Sequence, residues 1–172
     1  MYIQKIKMKF LVFIIFCLSI IACGSHSDSS FDDDINSSRA QTVMITSDTI
    51  YITASGENMS EMKFDKKVIR VPANKAITIA LINTSSDATM PHNLVIIKKG
   101  SANQVGQGGY KYKENAYVNP TDTNVIAHSP LVQIGETEYF SFITPSIGTY
   151  EFICSYPGHW SLMKGEFITE KS

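Results

Sequence analysis

From residue 42 to the C-terminus, apolar and polar residues alternate in short runs separated by Gly, Pro and Asn. The last such stretch shows the pattern well, because Tyr150, Phe152 and Cys154 occupy every second position. Such alternation predicts strands that bury one face of a sheet. Strands are predicted at residues 42–53, 68–71, 76–82, 92–98, 138–144, 148–154 and 166–169. Short strands at this spacing are typical of an all-β sandwich or barrel.

One stretch of this region does not alternate. Residues 100–123 are rich in glycine, tyrosine and asparagine, so we expect an irregular flap or a short helix there. Three of its tyrosines are Tyr110, Tyr112 and Tyr117. We interpret them as packing residues of the flap and not as a redox relay.

The N-terminus has the pattern of an export signal. Three lysines precede an apolar run at residues 10–21, which is too short to span a bilayer as a mature helix. The run ends in Ala22-Cys23, and residues 20–23 resemble a bacterial lipobox, whose cysteine receives lipid. We therefore predict a lipoprotein signal peptide at residues 1–22 and membrane anchoring through Cys23, in the periplasm or at the cell surface. A plain secretory cleavage site with an incidental cysteine is the alternative.

Residues 23–41 hold the lipidated cysteine and a segment dominated by serine and aspartate. This segment cannot bury enough apolar surface to fold alone, so we predict a flexible tether. Residues 42–172 then form one domain with its own core. The net charge of -1 and the lack of a strongly basic stretch beyond the extreme N-terminus argue against nucleic acid as a partner.

The cysteine count indicates that the domain contains one thiol that must be protected from oxidation. Of the three in the chain, Cys17 leaves with the signal peptide and Cys23 is blocked by lipid. Only Cys154 remains, so the mature domain has no internal disulfide. Because an exported protein meets oxidising conditions, a lone thiol has to be protected by burial or by a metal.

The segment after the predicted strand at residues 148–154 carries three soft donor groups. Cys154, His159 and Met163 stand at positions i, i+5 and i+9. Thiolate, imidazole and thioether ligands favour copper over magnesium, calcium or manganese. A turn at Pro157-Gly158 allows the three donors to converge. A copper site of this kind needs a second histidine, and His92 at the start of an apolar strand is the best candidate.

These residues resemble the azurin branch of the cupredoxins, the blue copper proteins. The matching positions are Met90, His92, Asn93, Val95, Cys154, Pro157, Gly158, His159, Leu162, Met163, Lys164 and Gly165. The resemblance covers roughly residues 57–170. It implies a Greek-key β-sandwich of about eight strands that holds one type 1 copper ion and carries single electrons.

The resemblance also implies roles for individual residues. Four side chains would bind copper, three equatorially and the last axially: His92, Cys154, His159 and Met163. The carbonyl oxygen of Pro91 would make a distant, weak axial contact. Asn93 would tie the two ligand loops together and donate a hydrogen bond toward the thiolate, and such contacts adjust ligand geometry and potential.

Several positions depart from the azurin pattern. Pro91 stands where azurins usually have glycine, and Leu94 replaces an aromatic residue. Tyr156 occupies a position where phenylalanine is common, and Trp160 replaces a small residue. The disulfide typical of the family has no counterpart, and the membrane tether is an addition.

In azurin-like proteins one edge of the second ligand histidine reaches the surface within an apolar ring. We expect electrons to enter and leave through His159 and Trp160 to influence partner choice. The expected partners are redox donors and acceptors that bind this monomer transiently, since an exposed apolar patch marks such a surface. The ring would be formed by Met62, Met90, Tyr156, Pro157, Gly158 and Trp160.

Two other functions compete with an electron carrier. An enzyme with a Cys–His nucleophile pair is disfavoured, because no third orienting group is evident. Multicopper enzymes need more histidines than the four in this chain. The remaining alternative is a copper-delivery module without a redox role, which would show clusters of methionine or histidine. The seven methionines here are dispersed, so we predict a non-enzymatic electron carrier.

Overall fold

The computed structural model describes residues 49–87 and 89–171. The predicted signal peptide, the lipidated Cys23 and the tether lie outside these residues, as does the first half of the strand predicted at residues 42–53. Within the described part of the chain, no helix has the length and apolar character needed to cross a membrane.

The described residues form a β-sandwich, which confirms the predicted fold class. Nine strands are present, β1 Thr49–Ser55, β2 Lys63–Phe64, β3 Val68–Pro72, β4 Ala76–Asn83, β5 Val95–Lys98, β6 Val125–His128, β7 Thr137–Ile143, β8 Gly148–Ile153 and β9 Lys164–Glu170. Two of these strands, β2 and the four-residue β6, were not predicted, and β2 is too short to show alternation.

The strands form two sheets. One has the order β2-β1-β4-β7 and the other has the order β3-β9-β8-β5-β6. The pairs β1/β4 and β3/β9 are parallel, and the remaining pairs are antiparallel. Because parallel neighbours cannot be joined by a hairpin, the chain passes repeatedly from one sheet to the other. These crossings bring distant loops together at one end of the sandwich.

The main core lies between the sheets. The rings of Phe64 and Phe152 meet edge to face with centroids 5.5 Å apart, and Ile79 and Leu81 of β4 are fully buried. Cys154 and Met163 belong to the same cluster. The two sulfur-bearing residues are therefore fixed by the core and not by a surface loop.

Strand β5 is buried on both faces, which explains its unbroken apolar run. Ile96 faces the main core, whereas Val95 and Ile97 pack with Val105 and Val118 in a second cluster. That second cluster lies under the segment predicted to be a flap or short helix, and the structure has a short helix there. The flap consists of α1 Ala102–Gly108 and two 3-10 turns, Gly109–Lys111 and Lys113–Asn115.

Candidate metal centre

Three side chains converge at one end of the sandwich. The sulfur of Cys154 lies 3.8 Å from Nδ1 of His92 and 3.6 Å from Nδ1 of His159. The two Nδ1 atoms are 3.2 Å apart. All three residues are buried, and they are the group of potential metal ligands found in the described part of the chain.

The loop between β8 and β9 is closed by its own backbone. The N–H of Cys154 donates to the carbonyl of Met163 at 3.0 Å, and the N–H of Met163 donates to the carbonyl of His159 at 2.8 Å. Gly158 has a φ of +86°, a conformation that favours glycine. The sequence Pro157-Gly158 thus forms the turn that returns the chain, and Met163 is fully buried beside Cys154 in the main core.

His92 approaches from the other loop. Strand β5 begins only at Val95, later than predicted, because His92 instead forms an isolated bridge with Val132. Its backbone N–H donates to the Val132 carbonyl at 3.1 Å, and the return bond measures 2.7 Å. On the side chain, Nε2 lies 3.0 Å from the hydroxyl of Ser85, so Nδ1 faces the cysteine and the second histidine.

Asn93 joins the two ligand loops and the flap. Its side-chain oxygen accepts a hydrogen bond from the N–H of Ser155 at 2.8 Å. Its side-chain nitrogen donates to the hydroxyl of Ser155 at 2.8 Å and to the carbonyl of Ala116 at 2.7 Å. The backbone N–H of Asn93 acts to lower the pKa of the Cys154 thiol, which favours the thiolate.

Burial controls the protonation of the three groups. It raises the pKa of the Cys154 thiol to about 12, which hydrogen bonds from the backbone N–H groups of Asn93 and Tyr156 only partly oppose. Burial lowers the pKa of His92 to about 4, with repulsion from a charged His159 as the second cause. Burial alone lowers the pKa of His159 to about 4. At neutral pH both imidazoles are therefore neutral and able to coordinate a metal.

The donor set fits copper. Two imidazole nitrogens and one sulfur converge in a buried pocket, and a fully buried methionine follows on the same loop. Since burial alone disfavours a thiolate, a bound cation would supply the charge that stabilises it. Soft sulfur donors combined with imidazoles are the set that suits type 1 copper.

Two residues of the predicted apolar docking ring are not exposed in the structure. Met62 and Met90 are buried in the protein, and His159 is 1% exposed with its Nε2 atom covered. Tertiary packing explains the burial of Met62, which belongs to the main core. Tyr156, Pro157, Gly158 and Trp160 are half-buried.

Trp160 packs on the flap. Its indole lies against Gly106 of α1, where even a methyl group would overlap the ring. The ring of Tyr110 meets it edge to face at 5.6 Å. Tyr117 likewise meets Tyr156 at 5.2 Å, so both tyrosines are packing residues as expected. Trp160 joins the flap to the ligand loop and does not stand free.

Sequence reasoning missed several residues around the centre. Met59 and Leu162 are exposed large apolar residues, and the Met59 methyl group lies 3.3 Å from the place where a β-carbon on Gly158 would stand. Asn83 and Ser85 are buried polar residues behind His92. In the sequence, residues 83–86 show only a turn signal, so nothing marked either one as part of a site.

Comparison with known proteins agrees with this geometry. A family model described as "Copper binding proteins, plastocyanin/azurin family" matches residues 50–170. Auracyanin-A of Chloroflexus aurantiacus is 37% identical over 123 residues, which cover 70% of this chain and 73% of the relative. Azurin of Alcaligenes faecalis is 39% identical over 116 residues, covering 63% and 91%.

Two further similarities extend the comparison. Outer membrane protein H.8 of Neisseria gonorrhoeae is 36% identical over 118 residues, which cover 66% of this chain and 64% of that protein. The crystal structure of dithionite-reduced auracyanin from Roseiflexus castenholzii superimposes with a TM-score of 0.64 at 35% identity, covering 72% of this chain and 98% of that one. The chain belongs to the plastocyanin/azurin family of copper-binding proteins, the cupredoxins, and its buried His–Cys–His cluster has the donor groups of a type 1 copper centre.

Proposed function

We propose that this protein is a single-electron carrier that cycles one type 1 copper ion between Cu(II) and Cu(I). The observation that carries the proposal is the convergence of His92, Cys154 and His159 in a buried pocket. When bound, copper supplies the one-electron couple. The protein contributes donors that suit both oxidation states, because imidazole and thiolate bind Cu(II) and soft sulfur tolerates Cu(I).

The proposed ligand set is supported by the convergence of His92, Cys154 and His159. The two Nδ1 atoms and the cysteine sulfur would hold the copper ion, and the thioether of Met163 on the same loop would be a further ligand. The carbonyl of the half-buried Pro91, one residue before His92, would be a weaker contact to the ion. Backbone hydrogen bonds, the His92–Val132 bridge and Asn93 hold both ligand loops, so little would move between oxidation states. Small rearrangement favours fast electron exchange.

A redox titration tests this function. The copper-loaded domain should be reduced and reoxidised reversibly by one electron per copper in a spectroelectrochemical cell. After full reduction, copper should stay bound in the presence of a Cu(I) chelator. Irreversible reduction, or transfer of the Cu(I) ion to the chelator, would support the copper-delivery alternative and contradict the carrier.

We also propose that the chain is not an enzyme. The Cys–His cluster is buried, and burial keeps the Cys154 thiol protonated with a pKa of about 12. A cysteine nucleophile needs the opposite, a lowered pKa and access to substrate. The cluster is thus suited to hold a metal and not to attack a bound substrate.

Redox partners are proposed to dock beside the ligand loop. The half-buried members of the predicted docking ring lie on this loop: Tyr156, Pro157, Gly158 and Trp160. Met59 and Leu162 add exposed apolar surface, at 51% and 47% exposure. Leu162 also lines a groove of about 620 Å³ with Glu57, Glu61 and Lys63. An apolar patch with charged surroundings favours weak, transient encounters of a monomer with protein donors and acceptors.

Membrane attachment is the remaining part of the proposal. Cys23 lies in the lipobox-like sequence and would carry the lipid, with residues 24–41 as the tether. One relative is named an outer membrane protein. In cells grown with labelled palmitate, the full chain should take up label and Cys23→Ala should not. An unlabelled full chain would exclude the lipid anchor and leave a plain secreted protein.

A further inference from the structure

Ser85 lies directly behind a copper ligand. Its hydroxyl oxygen is 3.0 Å from Nε2 of His92, and both residues are buried, at 4% and 0% exposure. Ser85 follows the end of β4, seven residues before His92 in sequence. Its hydroxyl therefore meets the ring nitrogen that points away from the cysteine.

The chemistry of an imidazole ligand sets the direction of this hydrogen bond. If Nδ1 offers its lone pair to copper, the neutral ring carries its proton on Nε2. A buried N–H needs an acceptor, because leaving it without one carries the full cost of removing that group from water. The Ser85 oxygen is the acceptor that the structure provides, so Nε2–H donates to Ser85.

Asn83 holds Ser85 and the His92 loop in one frame. Its side-chain oxygen accepts from the N–H of Ser85 at 3.0 Å. Its side-chain nitrogen donates to the carbonyl of Met90 at 2.9 Å and to the carbonyl of Val132 at 3.0 Å. Val132 is also the backbone partner of His92. The fully buried side chain of Asn83 thus fixes the acceptor Ser85 and the backbone at Met90 and Val132 beside His92.

The second ligand histidine, His159, lacks a contact like the one between His92 and Ser85. Nε2 of His159 is buried, and among the residues that the structure describes it has no hydrogen-bond partner. The two imidazoles of the centre are therefore not equivalent. One is anchored through its far nitrogen, and the other is held by its backbone and by ring contact with Tyr156 at 4.7 Å.

We infer that Ser85 is a positioning residue for the copper centre. Ser85, itself held by Asn83, fixes the tautomer and ring orientation of His92 and makes His92 a stronger metal ligand. The inference rests on the proposed function, because it takes His92 as a ligand through Nδ1. A hydrogen bond from the far nitrogen raises the basicity of a ligating imidazole, and loss of such a contact typically costs 10–100-fold in metal affinity. A more basic ligand favours Cu(II) over Cu(I).

The test compares Ser85→Ala with Ser85→Thr, which keeps the hydroxyl, and with Ser86→Ala, an exposed neighbour. In Ser85→Ala we expect the affinity for Cu(II) relative to Cu(I) to fall about tenfold, which raises the reduction potential by about 59 mV for one electron. The other two variants should stay near the wild-type potential. An unchanged potential in Ser85→Ala, or an equal shift in Ser86→Ala, would overturn the inference.

Nitrogen-15 NMR of the histidine rings provides the second readout. In wild-type protein, both Cu(I)-loaded and metal-free, His92 should carry a slowly exchanging proton on Nε2. Ser85→Ala should expose that proton to rapid exchange. Finding the proton on Nδ1 in metal-free wild-type protein would contradict the inference, even if the alanine variant does not fold. A failed one-electron titration with the proton still on Nε2 would instead contradict the proposed electron carrier.

Discussion

At the scale of single residues, the centre combines groups whose protonation is set by burial. The pKa of Cys154 is raised and the pKa values of His92 and His159 are lowered, so the site without metal holds a thiol and two neutral imidazoles. Metal binding releases the thiol proton and uses lone pairs that are already free. This arrangement makes both metal affinity and domain stability depend on pH.

The two histidines should make the metal-free domain acid-sensitive. Their folded pKa values of about 4 lie below the ordinary value of 6.5. Between these values the unfolded chain binds protons that the folded chain excludes, so the free energy of unfolding falls as the pH drops from 6.5 toward 4. Urea unfolding at neutral pH and at about pH 5 measures this loss. Replacing both histidines by glutamine should flatten the dependence, and an equally steep slope in that variant would contradict the assignment.

Asn93 connects the loop that carries His92 to the loop that carries Cys154, so its loss should destabilise the domain. Asn93→Ala removes two buried hydrogen bonds and one partly buried one, and it leaves the N–H of Ser155 without its partner. We expect the free energy of unfolding to fall by about 3 kcal/mol. The control is Asn58→Ala in an exposed turn, which should cost less than about 0.5 kcal/mol. Equal losses in urea unfolding would show that Asn93 does not hold the loops.

At the scale of elements, the flap supports the metal loop from outside. Helix α1 packs against the ligand loop through Gly106 and Trp160, and Ala116 accepts a hydrogen bond from Asn93. The flap also covers Val95 and Ile97 of β5. Strand β5 is therefore packed on both faces, and helix α1 packs against the loop that carries His159.

Gly106→Ala should disturb this contact selectively. The added methyl group would overlap the indole of Trp160, whereas the same change at Gly108 meets open space in the same helix. Gly108→Ala should be neutral or stabilise by up to about 1 kcal/mol, because alanine is the better helix former. Trp160 is the single tryptophan of the chain, so its fluorescence reports the contact directly.

We expect a red-shifted Trp160 emission and a lower free energy of unfolding in Gly106→Ala, with neither change in Gly108→Ala. Similar spectra for the two variants would mean that the flap does not depend on this contact.

At the scale of the whole molecule, the burial of His159 shifts the proposed docking surface toward Met59 and Leu162. Leu162→Glu should slow electron self-exchange between copper-loaded molecules at least tenfold, because charge repulsion and lost apolar contact weaken the encounter. The control is Ile147→Glu, which changes a 66% exposed residue at the opposite end of β8. The visible spectrum should be unchanged in both. Equal self-exchange rates would place docking elsewhere.

The sequence predicts much of this molecule because its main signals are local. Alternation locates most strands, and the spacing of Cys154, His159 and Met163 within one loop indicates the metal. Burial and partner choice depend instead on contacts between distant segments. Ser85 and Asn83 look like turn residues until β4 and the His92 loop meet. The buried positions of Met62 and Met90 are likewise set by packing that no local pattern records.

The central claim is that Cys154 binds copper together with His92 and His159, and the visible spectrum tests it most directly. Cu(II) is added to the metal-free domain, residues 42–172, with metal content measured to exclude zinc. Wild-type protein should bind one equivalent and develop an intense thiolate-to-copper charge-transfer band, which Cys154→Ser should lack. A colourless wild-type complex, or a band that survives in Cys154→Ser, would contradict the account.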